Sequence, residues 1–267
     1  MRLALAAALG SLLLLLAPLP PRLAVPLLGG WVVLLAGILV WQLLEPFYVQ
    51  RHLIAAWLRI PSRRAPVRYV RALFDEYAGR YDGHLLRDLH YAAPNLVRTI
   101  VGDRLDGRPD AAVADLGCGT GLCGPLFRRV AGRLVGVDLS PRMLDEARRR
   151  EVYDELVEAE IVAFLRDRRD DFDLLIAADV LVYLGDLGPL FRAAALALRP
   201  AGLMALTVEE GSSDGFALRS SGRFVHGRAY VERAVLEAGL RLVAVRHAAI
   251  RREAGEPVPG IVALVAR

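Results

Sequence analysis

"VADLGCGTGLCG", Val113 to Gly124, decides how this chain is read, because it fits two glycine patterns at once. Gly119, Gly121 and Gly124 spell G-x-G-x-x-G, with Asp138 about 20 residues on, whereas Asp115, Gly117, Gly119 and Gly121 spell D-x-G-x-G-x-G. In a strand-turn-helix, glycines let the backbone approach a ligand while the helix N-terminus offers unpaired N–H groups. The first pattern alone is a weak sign of a nicotinamide dinucleotide. Asp115 argues against it: a carboxylate just before the first glycine repels a pyrophosphate but suits a ligand carrying an ammonium group. Asp138, on the next strand, can accept both hydroxyls of a ribose.

Outward from this turn, β-rich runs alternate with helical segments: "AAVADL", "RLVGVDL", "FDLLIAADV", "GLMALTVEE", "LRLVAVRH" and "GIVALVAR". The alternation predicts βαβ units and an α/β, Rossmann-like, largely parallel sheet covered on both faces. Only "AAIRREAGEPVP" separates the last two runs, which predicts a closing antiparallel hairpin at the sheet edge. Upstream, "LFDEYAGRYDGHLLRDLHYAAPNLVRTI" carries apolar and aromatic residues at helical spacing, and "GDRLDGRPD" is a loop by composition.

The N-terminal end is of another kind. Residues 3–19 and 23–44 are apolar and free of charge up to Leu44, and Pro20, Pro21 and Arg22 break them apart. Each run approaches the roughly 20 residues that span a hydrocarbon core, so residues 1–46 are expected to form a transmembrane helical hairpin. The first run is long for a signal peptide and lacks a clear A-x-A cleavage site. Arg51, Arg59, Arg63, Arg64, Arg68 and Arg71 follow, and such flanks stay in the cytoplasm, which places the rest of the chain there, on the cytoplasmic membrane. "FYVQRHLIAAWLRI" within residues 47–72 suits a helix lying in the headgroup layer; a plain linker helix is the alternative. Residues 73–110 then form a helical cap and linker, and residues 111–267 the sheet domain.

Composition removes whole classes of chemistry. All 34 basic residues are Arg, so no Schiff-base lysine, P-loop lysine or Ser-Lys dyad operates. A pI near 9.4 would suggest nucleic acid, but the positive excess flanks the apolar segment instead. Cys118 and Cys123, the only cysteines, make neither a C-x-x-C pair nor a metal cluster, as befits a reducing compartment.

"VADLGCGTG", "LVGVDLSPRML" and "FDLLIAADVLVYL" resemble, in order and spacing, the successive motifs of class I S-adenosylmethionine-dependent methyltransferases. The resemblance implies that S-adenosyl-L-methionine is held by Asp115, Gly117, Cys118, Gly119 and Gly121 of the first motif, by Asp138 and Leu139 at the ribose, and by Met143 on the adenine side. Glu160 and Ile161, at the end of a third strand, match the adenine-contact pair, and Asp179, ending the fourth strand, lies where the family faces donor and acceptor. Across residues 73–267, "LFDEYAGRYDGHLLRDLHYAAPNLV", "AADVLVYLGDL" and "SGRFVHGRAYVERAVLEAGL" resemble bacterial methyltransferases that often carry tetratricopeptide repeats. That likeness implies a cap in which Tyr77 and Tyr81 touch the cofactor; packing within a helix serves them as well.

The sulfonium is already an activated donor, so the protein chiefly orients the reactants, an effect worth roughly 7–11 kcal/mol. Should the acceptor arrive protonated, the candidate bases are His226, with its near-neutral pKa, Tyr183 and Asp179. "AADVLVYL" is not the [DN]-P-P-[YF] of enzymes that methylate a flipped base, and no Pro-Cys nucleophile occurs, so nucleic acid is disfavoured as acceptor. A small or lipid-like molecule is expected. Arg223, Arg251 and Arg252 could pair with an acidic acceptor or a lipid phosphate, and read more simply as solvated charges. Two rival readings are a membrane-tethered cofactor-binding scaffold without turnover and a nicotinamide oxidoreductase.

Overall fold

The computed structural model describes residues 48–58, 60, 62–82, 91–105, 108, 110–212, 214–253 and 255–267. The apolar runs expected to form a membrane hairpin lie outside these residues, and among the described residues no helix is long and apolar enough to cross a membrane. The chain divides into two compact units, Met1–Arg51 and His52–Arg267. Of the first, only residues 48–51 are described, at the start of helix α1 (Tyr48–Trp57).

The second unit is built on a sheet whose two most apolar strands lie at its centre. β1 (Ala112–Leu116) and β4 (Phe172–Ala177) are buried at every position, the pattern of parallel strands covered on both faces. With β2 (Arg133–Asp138), β3 (Glu155–Glu158) and β5 (Leu198–Glu210) they form the order β3-β2-β1-β4-β5, each neighbour pair parallel. Alternation along the strands sends Ala112, Ala114, Leu116, Leu175 and Ala177 to one face. There they meet α6 (Ile161–Arg166), α7 (Gly188–Ala197) and α8 (Arg228–Glu237). Val113, Leu174 and Ile176 face the other way, against α3 (Ala93–Val101) and α4 (Gly124–Phe127). Phe127, Phe172, Phe191 and Phe224 are among the fully buried side chains, each worth about 1.5–3 kcal/mol of apolar burial.

The expected closing hairpin is present: β9 (Glu256–Ala266) runs antiparallel to β5, and β8 (Arg241–Glu253) antiparallel to β9. Two strands were not anticipated. β6 (Phe216–Leu218) and β7 (Phe224–His226) pair with each other, and β7 extends the far end of β5 at Glu209 and Glu210. Three-residue strands leave too little alternation to be seen in a sequence.

The cap begins earlier than expected. α2 (Val67–Tyr77) crosses the anticipated boundary at residue 73, because Pro66 precedes a continuous apolar stripe. Behind it, His52 of α1 donates through Nε2 to the Gly222 carbonyl at 2.9 Å and packs on the Tyr69 ring. On its other side α1 leaves Leu53, Ile54 and Trp57 exposed, followed by Leu58 and Ile60.

His226 belongs to this framework. It is fully buried, and its Nε2–H donates to the carbonyls of Leu184 (2.8 Å) and Gly185 (3.1 Å), pinning the chain that leaves the 3-10 turn Leu181–Tyr183. Its Nδ1 has no partner among the described residues. Burial holds the imidazole down at about 4. A depressed histidine keeps its full contribution above the unfolded value of roughly 6.5 and loses it as pH falls from there toward 4, a gap of roughly 3 kcal/mol. The carboxyls of Asp115 and Asp179, raised by burial, work in the opposite sense. We therefore expect the urea midpoint of the parent to fall further between pH 7 and pH 5 than that of His226→Gln, whose amide can still donate to both carbonyls. Equal falls in parent and variant would show that His226 is not held neutral.

Candidate active site

The site is built where β1 stops. The chain turns at Gly117 with φ +68°, and a Cβ there would lie 2.4 Å from Val180 Cγ2, so conformation and space both demand glycine. The N–H groups of Gly117 and Cys118 donate to the Val137 carbonyl of β2 at 2.7 and 2.9 Å. One residue on, Gly119 N–H donates to Asp138 Oδ2 at 2.9 Å, and the other Asp138 oxygen accepts Ser140 N–H at 2.8 Å. Asp138 thus ties the turn after β1 to the turn after β2. Burial raises its carboxyl, with these amides pulling against it. Asp115 is 2 % exposed, and its Oδ2 accepts the Tyr153 hydroxyl at 2.6 Å. Burial pushes Asp115 up to about 7, the tyrosine hydrogen bond opposing.

These carboxylates open into a pocket at the carboxyl ends of β1, β2 and β4, where the strand order reverses and ligands of open α/β sheets bind. Of the residues expected from sequence, Asp115, Gly117, Cys118, Gly119, Asp138, Leu139, Glu160, Ile161, Asp179, Tyr183 and Tyr81 all line it. Gly121, Met143, Tyr77 and His226 do not. Met143 is fully buried in α5 (Pro141–Arg148), Tyr77 stacks edge-on against Tyr81 at 5.4 Å, and His226 is committed to backbone carbonyls. Glu160 follows β3 rather than ending it, and its carboxylate caps α6 by accepting from Val162 and Ala163 N–H.

The glycine ambiguity is settled by what lies beside each glycine. In a dinucleotide turn the second glycine opens toward the pyrophosphate. Here a Cβ on Gly121 would meet Tyr153 Cε2 at 2.9 Å and Arg150 Cδ at 3.1 Å, so that side of the turn is already filled by the chain itself.

The rest of the pocket was not visible in the motifs. Arg64, Val67 and Val70, on a stretch expected to be juxtamembrane, line it with Phe74 of the expected cap, as do Tyr91, Pro94 and Leu122. The spacing Val67, Val70, Phe74 is that of one helix face and was the available signal. Phe74 meets Tyr183 and Tyr81 edge-on at 5.5 and 6.0 Å. The cap is fastened to the cofactor turns by polar bridges: Ser140 Oγ donates to Asp75, Thr120 Oγ1 and Arg150 bind Asp82, and Arg71 pairs with Glu158.

Arg251 is not a solvated charge. It is buried, its Nη1 is 2.6 Å from Asp179 Oδ1, and it also pairs with Glu209 and Glu253, to which Arg223 pairs in turn. Asp179 sits at φ +56° with its N–H donating to Thr207 Oγ1 at 2.8 Å. Burial raises it to about 6 while Arg251 pulls it down, leaving it ionised at neutral pH. Arg252 instead reaches the Gly255 carbonyl at the surface. Tyr183 is raised far above its ordinary range by burial and stays protonated, a donor rather than a base.

Comparison with known proteins agrees with this geometry. The family of methyltransferase domains matches residues 113–202. Malonyl-[acyl-carrier protein] O-methyltransferase of Pseudescherichia vulneris is 31% identical over 141 residues, covering 52% of this chain and 53% of that protein. Its counterpart from Salmonella typhimurium is 29% identical over 138 residues, 52% of each. The chain spans about half the length of these curated relatives. Burkholderia thailandensis 1,6-didemethyltoxoflavin-N1-methyltransferase, solved with S-adenosylhomocysteine, superposes with a TM-score of 0.59 at 19% identity, covering 78% of this chain and 92% of that one. The [4+2]-cyclase SpnF reaches a TM-score of 0.62 at 14% identity over 78% of this chain and 99% of its own, so the fold alone does not specify methyl transfer. Residues 113–202 thus match the methyltransferase-domain family, and the sheet unit that contains them has the fold of solved S-adenosylmethionine-dependent methyltransferases.

Proposed function

We propose that the chain is a membrane-anchored methyltransferase that moves the methyl group of S-adenosylmethionine to a small or lipid-like acceptor on the cytoplasmic side of the membrane. One observation carries the reading: a single pocket joins the cofactor carboxylates Asp115 and Asp138 to an apolar, aromatic wall of Val67, Val70, Phe74 and Tyr183. Arg64 is the one cation among the described residues lining it. The cofactor supplies an activated methyl group. Asp115 offers a carboxylate to its ammonium group and Asp138 to its ribose, while Phe74, Tyr81 and Tyr183 exclude water from the reacting end. Asp179, held by Arg251, is the pocket carboxylate left over from cofactor binding and the group to take a proton from an acceptor that arrives protonated. His226 has no part in this, being neutral and walled off.

The membrane reading draws support from the sequence of residues 1–46 and from the exposed row Leu53, Ile54, Trp57, Leu58 and Ile60. That row leads directly into Arg63, Arg64 and Arg68, the arrangement of an apolar face under a basic rim that anionic headgroups favour. Arg64 then stands both beside this row and at the pocket, as an amphiphilic acceptor with an anionic group would require.

Two outcomes check the proposal. Asp115→Asn removes the charge opposite the ammonium and should weaken S-adenosylmethionine binding about ten- to hundredfold by calorimetry; a folded variant that binds as tightly as the parent refutes the cofactor geometry. With Trp31 and Trp41 replaced by Phe, Trp57 becomes the sole tryptophan. In vesicles containing phosphatidylglycerol, its fluorescence should be quenched by lipids brominated near the headgroup and shielded from aqueous iodide. Full iodide access would place this helix away from the bilayer. Lipid and metabolite profiling of a deletion strain, seeking a species lighter by one methyl group, identifies the acceptor.

A further inference from the structure

Three glycines, two that follow β1 and one within β2, converge on one side chain that no cofactor motif includes. A Cβ on Gly121 would stand 2.9 Å from Tyr153 Cε2, one on Gly124 3.0 Å from its Cζ, and one on Gly136, on β2, 3.0 Å from its Cδ1. The missing side chains form a slot in which the ring lies flat between the turn and the strand. From the end of that slot the hydroxyl donates to Asp115 Oδ2 at 2.6 Å. Among the described residues nothing else donates to the Asp115 side chain, so its other oxygen is left for the pocket it lines. We propose that Tyr153 is a positioning residue, which locks the rotamer of Asp115 so that the free carboxylate oxygen meets the ammonium group of the methionine part of the cofactor.

Chemistry and placement agree. A carboxylate on a strand end has a broad terminal torsion, and a single hydrogen bond to one oxygen fixes where the other points. Tyr153 itself never reaches the pocket lining, so it acts only through Asp115. Burial keeps its hydroxyl protonated, hence a donor at any working pH. The titratable groups facing Asp115 are Asp138 from β2, Cys118 and Cys123 from the turn, Tyr91 ahead of α3, and Tyr153; none is a cation. Only the tyrosine hydrogen bond favours the ionised carboxylate before ligand arrives, so its removal shifts the acid limb of binding upward.

This rests on the cofactor assignment and is tested with two probes: S-adenosylmethionine, and 5′-methylthioadenosine, which has the nucleoside and sulfur but no amino-acid part. Dissociation constants of the full-length parent and of Tyr153→Phe are measured for both between pH 6 and pH 9. We expect Tyr153→Phe to bind S-adenosylmethionine about tenfold more weakly with its acid limb moved upward, and to bind 5′-methylthioadenosine like the parent. Gly124→Ala, outside the pocket lining, would press on Val152 Cγ2 at 2.6 Å and on the same ring at 3.0 Å, and through the ring should give the same selective loss, should the phenylalanine variant fail to fold. A loss shared equally by both ligands, or none, in a folded variant overturns the positioning role while the cofactor assignment stands. A parent that binds neither ligand overturns both.

Discussion

Two carboxylates buried at the ends of adjacent parallel strands, Asp115 and Asp138, neither in an ion pair among the described residues, set the terms for everything around them. Removing an ion from water costs several kcal/mol, and the chain offsets it with neutral donors: two backbone N–H groups for Asp138, one tyrosine hydroxyl for Asp115. Supplying those donors dictates local structure. The turn must pass close enough to β2 for Gly119 N–H to reach Asp138, which forces the left-handed conformation at Gly117 and the approach of Val180. A ligand with an ammonium and two hydroxyls completes the solvation that the protein leaves partial, and binding it stabilises the folded unit by mass action.

A second layer of charge shows the opposite strategy. Asp179, Glu209 and Glu253 share Arg251 and Arg223, three carboxylates on two guanidinium groups, so most of this cluster's charge is compensated within it, and Asp179 carries the cluster to the pocket lining. The carboxylates without counter-ions bind; the ion-paired ones hold Arg251 and Arg223 in place beside them. Arginine suits this pairing because it remains charged when buried and spreads several donors in a fixed fork.

Legibility in the sequence followed the same division. The largely parallel sheet and the closing hairpin were readable because β1, β2, β4, β5, β8 and β9 each carry several consecutive apolar residues, and Asp115, Asp138 and Asp179 because each lies at or just past the end of such a run. What escaped were contacts made across long sequence separation by residues whose local context is ordinary. Tyr153 sits in "EVYDE", a stretch with no pattern of its own, and only folding brings it under three glycines. Arg251 lies in a run of charges that looks solvated, and its burial depends on Asp179 arriving from 72 positions away. His226 misled for a related reason: a histidine near neutrality resembles a base until its ring is found donating to two carbonyls in the interior.

The cap is fastened by contacts of a quite different character from those of the sheet. Arg71–Glu158 has side chains 47% and 45% exposed, and Arg150–Asp82 28% and 41%. Pairs at such exposure contribute about 0–1 kcal/mol and are screened within roughly 8 Å at physiological ionic strength. These ion pairs are thus the salt-sensitive part of the wall's attachment, whereas the backbone bonds of Arg63 and Ala65 to the segment 183–186 and the edge-on packing of Phe74 on Tyr183 are not. Added salt is therefore expected to loosen the rim of the pocket well before it affects the buried carboxylates within.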